Sequence, residues 1–343
     1  MNARPLLSPL ALLYGAGVAM RLGLYRHGFL RVEQAGRPVV SVGNLAAGGT
    51  GKTPFVRWLA GELLARGRRP SILTRGYGRA TRGTVLVSDG AGSVASVADA
   101  GDEASLLARA LPGVPILADT RRSRGAALVE ARFPDVSVHL LEDGFSHVAL
   151  ARDAEIVLLD ATAPDAGGAL LPSGRLREPL ESLARADFVV VTKTEQADPE
   201  RAAALARVYA PGVPVYRAAT EILGILDGRG AAVSPRDLPP ATLVAVAGIA
   251  RPDAFAATLA AAGIEPAVLL PFRDHAAYGN AAIGKILRAA SETGATAVIT
   301  TEKDAVKLEG RLPLPLFRVA VRMSVIEPDF IGALLSRLGR RPS

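Results

Sequence analysis

The chain predicts a doubly wound α/β fold: a P-loop, mostly parallel sheet with helices on both faces, followed by a smaller second α/β lobe. Three observations carry that reading. Runs rich in valine and isoleucine recur, apolar throughout rather than at alternate positions, as strands covered on both faces require. Helical or loop stretches separate them, the alternation of a wound parallel sheet. A second, shorter series of the same kind begins near residue 241, approached through Pro235, Pro239 and Pro240.

In order, the first strands read "RPVVSVGNL", "PSILTRGYG", "GTVLVSDG", "VPILAD", "VSVHLLED", "AEIVLLD", "DFVVVTKT" and "VPVYRAAT". Helices are expected over 53–66, 102–111 and 120–132. The second series reads "ATLVAVAGIA", "EPAVLLPF", "ATAVITTE" and "LFRVAVRMSV", with helices over 252–262 and 279–292. The division that follows is an amino-terminal segment (1–32), a nucleotide-binding domain (33–220) and a smaller lobe (221–343) closing over a cleft.

Composition bounds the function. A chain of 343 residues, 49% hydrophobic and free of low-complexity tracts, can bury a sizeable core. It has no cysteine, which excludes disulfides, thiolate zinc sites and cysteine nucleophiles. A net charge of +7 and a pI near 10 point to anionic partners. Nucleic acid is disfavoured, because only 5% of the chain is aromatic and no aromatics interleave with the arginines. Only five of the 40 basic side chains are lysines (52, 193, 285, 303 and 307), and four of these fall in motifs.

The amino-terminal segment carries Arg4, Arg21, Arg26 and Arg31 before the first acid, Glu33. The sixteen residues between Arg4 and Arg21 are interrupted by Pro9, Gly15 and Gly17, short of the roughly 20 apolar residues a bilayer-crossing helix needs. A helix lying in a membrane interface, arginines toward lipid headgroups, fits this pattern. The alternative is an ordinary helix buried against the domain.

"SVGNLAAGGTGKTPF" (41–55) follows an apolar strand and opens a helix. It departs from G-x-x-x-x-G-K-[ST] in having Ala46 where the first glycine belongs. What remains is still a phosphate loop. Gly48, Gly49 and Gly51, with Thr50 between them, leave backbone N–H groups free to wrap phosphate oxygens. Lys52 reaches the outer phosphates, and the Thr53 hydroxyl is placed to ligate magnesium. The acid that completes such a site stands at the end of another strand, and "VSVHLLEDGFSH" supplies Glu142 and Asp143. "VVVTKTE" (189–195) is a loose match to the [NT]-K-x-[DE] loops that read purines, with a plain strand end as the alternative.

The motifs "VGNLAAGGTGKTP", "TRGYGR" (74–79), "GDEASLLA" (101–108), "EDGFSH" (142–147), "PSGRLREP" (172–179), "FRDH" (272–275) and "TEKDAVK" (301–307) occur in this order. As a set they closely resemble the tetraacyldisaccharide 4'-kinase (lipid A 4'-kinase) family, over essentially the whole chain. The family's phosphate loop also lacks the first glycine. The resemblance implies ATP and Mg2+ as cofactors, a lipid A disaccharide 1-phosphate as acceptor and work at the cytoplasmic face of the bacterial inner membrane, as a monomer. It further implies Asp102 as the base that accepts the acceptor's proton, and His275 as the residue orienting it across the cleft. Taken alone, Asp102 serves equally as an N-cap for helix 102–111. Glu178 is expected in the magnesium shell, Arg177 on developing phosphate charge, and Arg75 and Arg79 on the sugar phosphate.

Two positions depart from the family's usual "DDGFQH": Glu142 and Ser146. Metal duty is therefore expected mainly from Asp143, with Glu142 as an additional ligand, and nothing is assigned to Ser146. "TEKDAVK" reads as an ion-paired helix start. A soluble P-loop GTPase or ATPase switch, or a metal-insertion chaperone, also accounts for the loop, Asp143 and the TKTE stretch. It leaves the basic amino terminus, the Asp102 motif and the second lobe without purpose.

Overall fold

The computed structural model describes residues 4–92, 94–234, 238 and 243–339. Pro235, Pro239 and Pro240, which the sequence offers as the approach to the second series, lie outside the described residues. The first part of the chain runs α1 (Arg4–Arg26), β1 (Val39–Gly43), α2 (Lys52–Ala65), β2 (Pro70–Thr74), β3 (Val85–Asp89), α3 (Val97–Ala100), α4 (Asp102–Ala110), β4 (Pro115–Ala118), α5 (Arg122–Arg132), β5 (Val138–Glu142), β6 (Ala154–Asp160) and, after a 3-10 helix at Leu180–Arg185, β7 (Phe188–Thr192) and α6 (Glu200–Tyr209). It continues with β8 (Val215–Leu226), β9 (Ala232–Val233), β10 (Leu243–Ala247), α7 (Pro252–Ala261), β11 (Val268–Pro271), α8 (Asn280–Thr293), β12 (Ala297–Thr301), α9 (Glu302–Leu308), β13 (Leu316–Val325) and α10 (Phe330–Leu338).

Every apolar run singled out in the sequence forms a strand. The strands make one 13-stranded sheet in the order β11-β10-β12-β13-β8-β7-β6-β1-β5-β2-β4-β3, with β9 pairing β8. β1 sits between β5 and β6, parallel to both, and all five of its residues are buried. Helices cover both faces, so continuous burial rather than alternation is what the backbone needs there. Besides the short β9, antiparallel to β8, two strands break the parallel rule. β3 runs antiparallel to β4 at the sheet edge, and its first two residues are only half-buried. β13 runs antiparallel to β8.

The boundary expected near residue 221 falls inside a strand. β8 pairs in parallel with β7 at Val215–Arg217, then antiparallel with β13 from Ala218 to Leu226. The final helix also returns to the first half: Phe330, Ile331 and Leu334 of α10 share a core with Phe55, Val56 and Leu59 of α2. Phe330 stands edge-on to Phe55, Phe188 and Tyr216, with ring centroids 6.0, 5.8 and 4.9 Å away.

The helix α1 runs unbroken for 23 residues, through Pro9, Gly15 and Gly17. It forfeits one backbone hydrogen bond at the proline. Over Leu7–Arg26 its mean hydropathy is 1.4, and among the described residues it is the helix long and apolar enough to cross a membrane by length and composition. It is not a buried core helix, for Leu12 and Leu13 are 75% and 71% exposed.

Phe330→Ala should remove the ring that ties α10 to α2 and cost about 3–5 kcal/mol. The midpoint of denaturant unfolding measures this, and an unchanged midpoint would show that α10 is not part of the core.

Candidate active site

The phosphate loop connects β1 to α2 beside the end of β5, where Val42 pairs with Glu142. Gly51 turns the chain into α2 with φ +86, a left-handed conformation that favours glycine, and Met323 Cε packs against the space a Cβ would take. Thr192, at the end of β7, donates its hydroxyl to the Thr50 carbonyl at 2.9 Å and clamps the loop from below. The rest of the TKTE stretch is also engaged: Lys193 pairs with Asp160, and Glu195 accepts the Thr220 N–H.

Asn44 occupies the centre of the loop's polar network. Its side-chain amide donates to the Ala46 carbonyl at 2.7 Å, and its oxygen accepts from Lys52 at 3.3 Å and Arg177 at 3.0 Å. Arg177 grips Asp143 with two nitrogens, at 2.8 and 3.2 Å, and Lys52 lies 3.6 Å from the same carboxylate. Burial alone would raise the Asp143 carboxyl, but the charges of Lys52 and Arg177 outweigh it and hold it below its ordinary range. Asp143 has φ +52, a left-handed conformation that aspartate tolerates better than most side chains.

Glu142 rather than Asp143 meets the Thr53 hydroxyl. One carboxylate oxygen accepts from Thr53 at 2.6 Å and the other from Thr74 at 2.7 Å. Arg177 and Lys52 hold Asp143, while the longer Glu142 reaches the loop. Burial, reinforced by the nearby charge of Glu103, pushes Glu142 up to about 7. Thr53 and Glu142 offer the hard oxygen donors that Mg2+ takes alongside substrate phosphates, so the donor set fits that ion.

Glu178 is buried against Arg185 at 2.7 Å, with Arg21 at 3.9 Å, and its Oε1 has no hydrogen-bond partner. Arg79 donates to the carbonyls of Ala118 and Gly83, which fastens the TRGYGR turn. Arg75 is exposed at the rim.

Below that rim lies a cavity of about 620 Å3, lined by Tyr14, Arg21, Arg75, Arg122, Asp143 and Arg177 among others. Helix α1 forms one wall: Tyr14 donates to the Arg177 carbonyl and Arg21 to the Ser146 carbonyl, both at 3.0 Å. Arg122 is 4% exposed; it donates one long bond, 3.3 Å, to Thr120, and its Nε has no partner. Burial and the neighbouring Arg75 lower its guanidinium to about 10. It stays protonated at neutral pH, a buried cation facing a basic cavity. His147 is brought down to about 4 by burial and by Arg122, Arg152, Arg21 and Arg75, so it is neutral there. Sequence reading missed Arg122, one arginine among 35 with no motif to mark it.

Asp102 stands just inside its helix, where its Oδ1 accepts the Glu103 N–H at 3.1 Å. Gly101 takes the cap position with φ +87, where a Cβ would lie 2.7 Å from the Tyr77 carbonyl, and Asp102 is the first residue of α4. Its carboxylate, 6% exposed, reaches out of the helix to His275, whose Nδ1 lies 3.1 and 3.0 Å from the two oxygens. Lys307 Nζ stands 3.2 Å from Oδ2. Burial would raise this carboxyl, yet the His275 hydrogen bond and the charges of Lys303 and Lys307 outweigh it and hold it far below its usual range. His275 has φ +60, its ring lies 4.9 Å from that of Tyr77, and Lys303 Nζ is 3.2 Å from its Nε2. The hydrogen bond to Asp102 raises His275, against burial and Lys303. Neither lysine was assigned a role from the sequence, although two of only five lysines standing four residues apart was a signal.

A model of the tetraacyldisaccharide-1-P 4'-kinase family matches residues 3–339. The chain belongs to that family. The tetraacyldisaccharide 4'-kinase of Anaeromyxobacter sp. (strain K) is 43% identical over 320 residues, covering 92% of this chain and 83% of that one. The corresponding kinase of Geobacter metallireducens is 41% identical over 339 residues and 97% of each chain. Among solved structures, LpxK from Aquifex aeolicus, crystallised in complex with ATP, superposes with a TM-score of 0.81 at 33% identity, covering 98% of this chain and 99% of that one. As in the expectation from motifs, the chain is a phosphotransferase of the lipid A 4'-kinase family.

Because its folded-state pKa is raised above 6.5, His275 contributes stability that is fully present below that value and lost as pH rises through the raised one. His275→Asn should therefore destabilise the protein more at about pH 6 than at about pH 9. Denaturation at the two pH values checks this, and an equal loss would mean the charged pair is not formed.

Proposed function

We propose that the chain transfers the γ-phosphoryl group of ATP to the 4'-hydroxyl of a tetraacyl glucosamine disaccharide 1-phosphate, with Asp102 as the general base. The observation that carries this reading is Asp102 itself: a buried, ionised carboxylate oriented by His275, one residue from the Glu103 whose charge bears on Glu142 at the phosphate loop.

A sugar hydroxyl is a weak nucleophile at neutral pH and must be aligned with the leaving oxygen. In this reading its O–H bond breaks toward Asp102, which takes the proton. The freed electron pair forms the new P–O bond as the bond to the leaving diphosphate breaks. His275, hydrogen-bonded to the same carboxylate, stabilises Asp102 before the transfer and shares the proton after it. Lys52, with the backbone N–H groups of Gly48, Gly49, Thr50, Gly51 and Thr53, would bind the phosphate tail, giving up its contacts to Asn44 and Asp143. Thr53 and Glu142 would hold Mg2+, which when bound neutralises charge on the phosphate oxygens. Asp143 anchors Arg177 beside the loop. Arg75 and Arg122 supply cations for the acceptor's own phosphate, and the unpartnered Arg122 Nε supports that placement.

Membrane association at the cytoplasmic face belongs to the same reading. The inner side of α1 lines the cavity while Leu10, Leu12, Leu13 and Met20 point outward, which suits an acceptor whose acyl chains stay in lipid. The part of the chain after β8 acts as the closing lobe, since it delivers His275 to Asp102.

Incubation with labelled ATP, Mg2+ and the disaccharide monophosphate should yield a bisphosphorylated lipid. Asp102→Ala should lower turnover by about 10²–10⁴-fold while ATP still binds, and Lys52→Ala should lose the transfer. Near-normal turnover in Asp102→Ala would refute the base assignment. Deleting residues 1–30 should reduce recovery with membranes, and an unchanged membrane fraction would remove the interfacial role of α1.

A further inference from the structure

Lys303 and Lys307 have no part in the scheme above, yet each stands 3.2 Å from a member of the pair that performs it. They lie four residues apart on α9, hence on one face of that helix. Both are largely buried, in a chain that otherwise uses arginine for nearly all its positive charge. An ammonium is a compact point charge that only donates hydrogen bonds; a guanidinium is a broad fork. What either group would share at such a place is a positive charge beside the buried acid.

Lys307 is itself held in place. Its second acidic neighbour is Asp304 at 3.6 Å, and Asp304 is fully buried, accepting the Gly248 N–H at 2.8 Å and the Thr301 hydroxyl at 2.9 Å. Those two donors fix Asp304 at the ends of β10 and β12, Asp304 steadies Lys307, and Lys307 meets Asp102 from the side opposite the helix that carries it. Lys303 touches Asp274 at 3.1 Å, Glu103 at 3.7 Å and His275 Nε2 at 3.2 Å. Because an ammonium only donates, Nε2 accepts from it when the ring is neutral, and the ring proton on Nδ1 is donated to Asp102; when the ring is charged, two cations face each other at Nε2.

We propose that Lys303 and Lys307 are positioning residues of the acceptor base: Lys307 holds the Asp102 carboxylate as an oriented anion, and Lys303 engages Nε2 of the neutral His275 ring, whose Nδ1–H faces Asp102. The inference rests on the reading of Asp102 as base. It gives the TEKDAVK stretch a function that its appearance as an ion-paired helix start does not. It also explains how a carboxylate can be both buried and charged without collapsing the site, since a buried anion persists only when compensated. The groups facing Asp102 come from three elements: Glu103 on α4 itself, Asp274, His275 and Tyr278 from the segment after β11, and Lys303, Asp304 and Lys307 from α9.

The test compares Lys307→Met, Lys307→Arg, Lys303→Met and Asp102→Asn with the parent enzyme, measuring kcat and both KM values against pH with ATP, Mg2+ and the disaccharide monophosphate. Histidine-labelled protein gives the ring-nitrogen resonances of the four histidines. K307M should lower kcat about 10- to 10²-fold with both KM values nearly unchanged, and should move the acid limb of the kcat profile to higher pH. K307R should bring that limb back. K303M should raise the pH at which His275 releases its second ring proton, since the cation beside Nε2 that opposes that proton is gone. An unmoved acid limb, a loss confined to KM, a limb that K307R does not restore, or an unmoved His275 titration in K303M would each overturn the inference. Should K307M fail to fold, K307R decides: a limb at the parental position supports the charge role and a displaced one refutes it. An active D102N would fell the base reading and this inference together, whereas an inactive D102N beside a normal K307M would fell only the lysines.

Discussion

A buried carboxylate must be matched by positive charge, and the structure around Asp102 follows from that constraint. Left alone in so enclosed a place, the group would take up a proton and lose its use. Its counter-charges arrive from far along the chain, His275 from 173 residues away and Lys307 from 205. Only a fold that brings α9 and the segment after β11 against the start of α4 can supply them. The second half of the sheet is thus the means by which one acid remains ionised.

The phosphate loop solves the opposite problem with the same economy. It is rich in donors and needs acceptors until a ligand comes. Asn44 and Asp143 provide them, gathering Lys52 and Arg177 into a network that keeps both cations near the loop. Glu142, protonated or hydrogen-bonded between Thr53 and Thr74, waits in a state that a divalent cation would replace. Both parts of the site are therefore internally satisfied, each by groups that the reaction would redirect.

Most of the fold was legible because it rests on local pattern. The twelve apolar runs announced their strands, and the glycines of the loop announced the turn at Gly51. The site was legible where its chemistry is sequential, as in Lys52 and Thr53, and where a motif marked a residue, as in Asp102 and His275. It was not legible where a role depends on which neighbour wins a contact. Glu142 and Asp143 are adjacent acids, and only the position of Arg177 decides which of them meets Thr53. Glu178 reads as a ligand in its motif, and only the fold shows that Arg185 meets one of its oxygens and leaves the other without a hydrogen-bond partner. Arg122 gains its meaning from burial and from a nitrogen left without a partner, neither of which has a sequence signature.

The shared strand β8 carries a mechanical consequence. Many two-part enzymes open and shut on a flexible hinge, so their halves can be cut apart, exchanged or spaced by insertions. Here one continuous ribbon of hydrogen bonds runs from the nucleotide side to the side that holds His275, and α10 stitches the far end back onto α2. A cut or an insertion within β8 would therefore unpair the sheet on both sides at once.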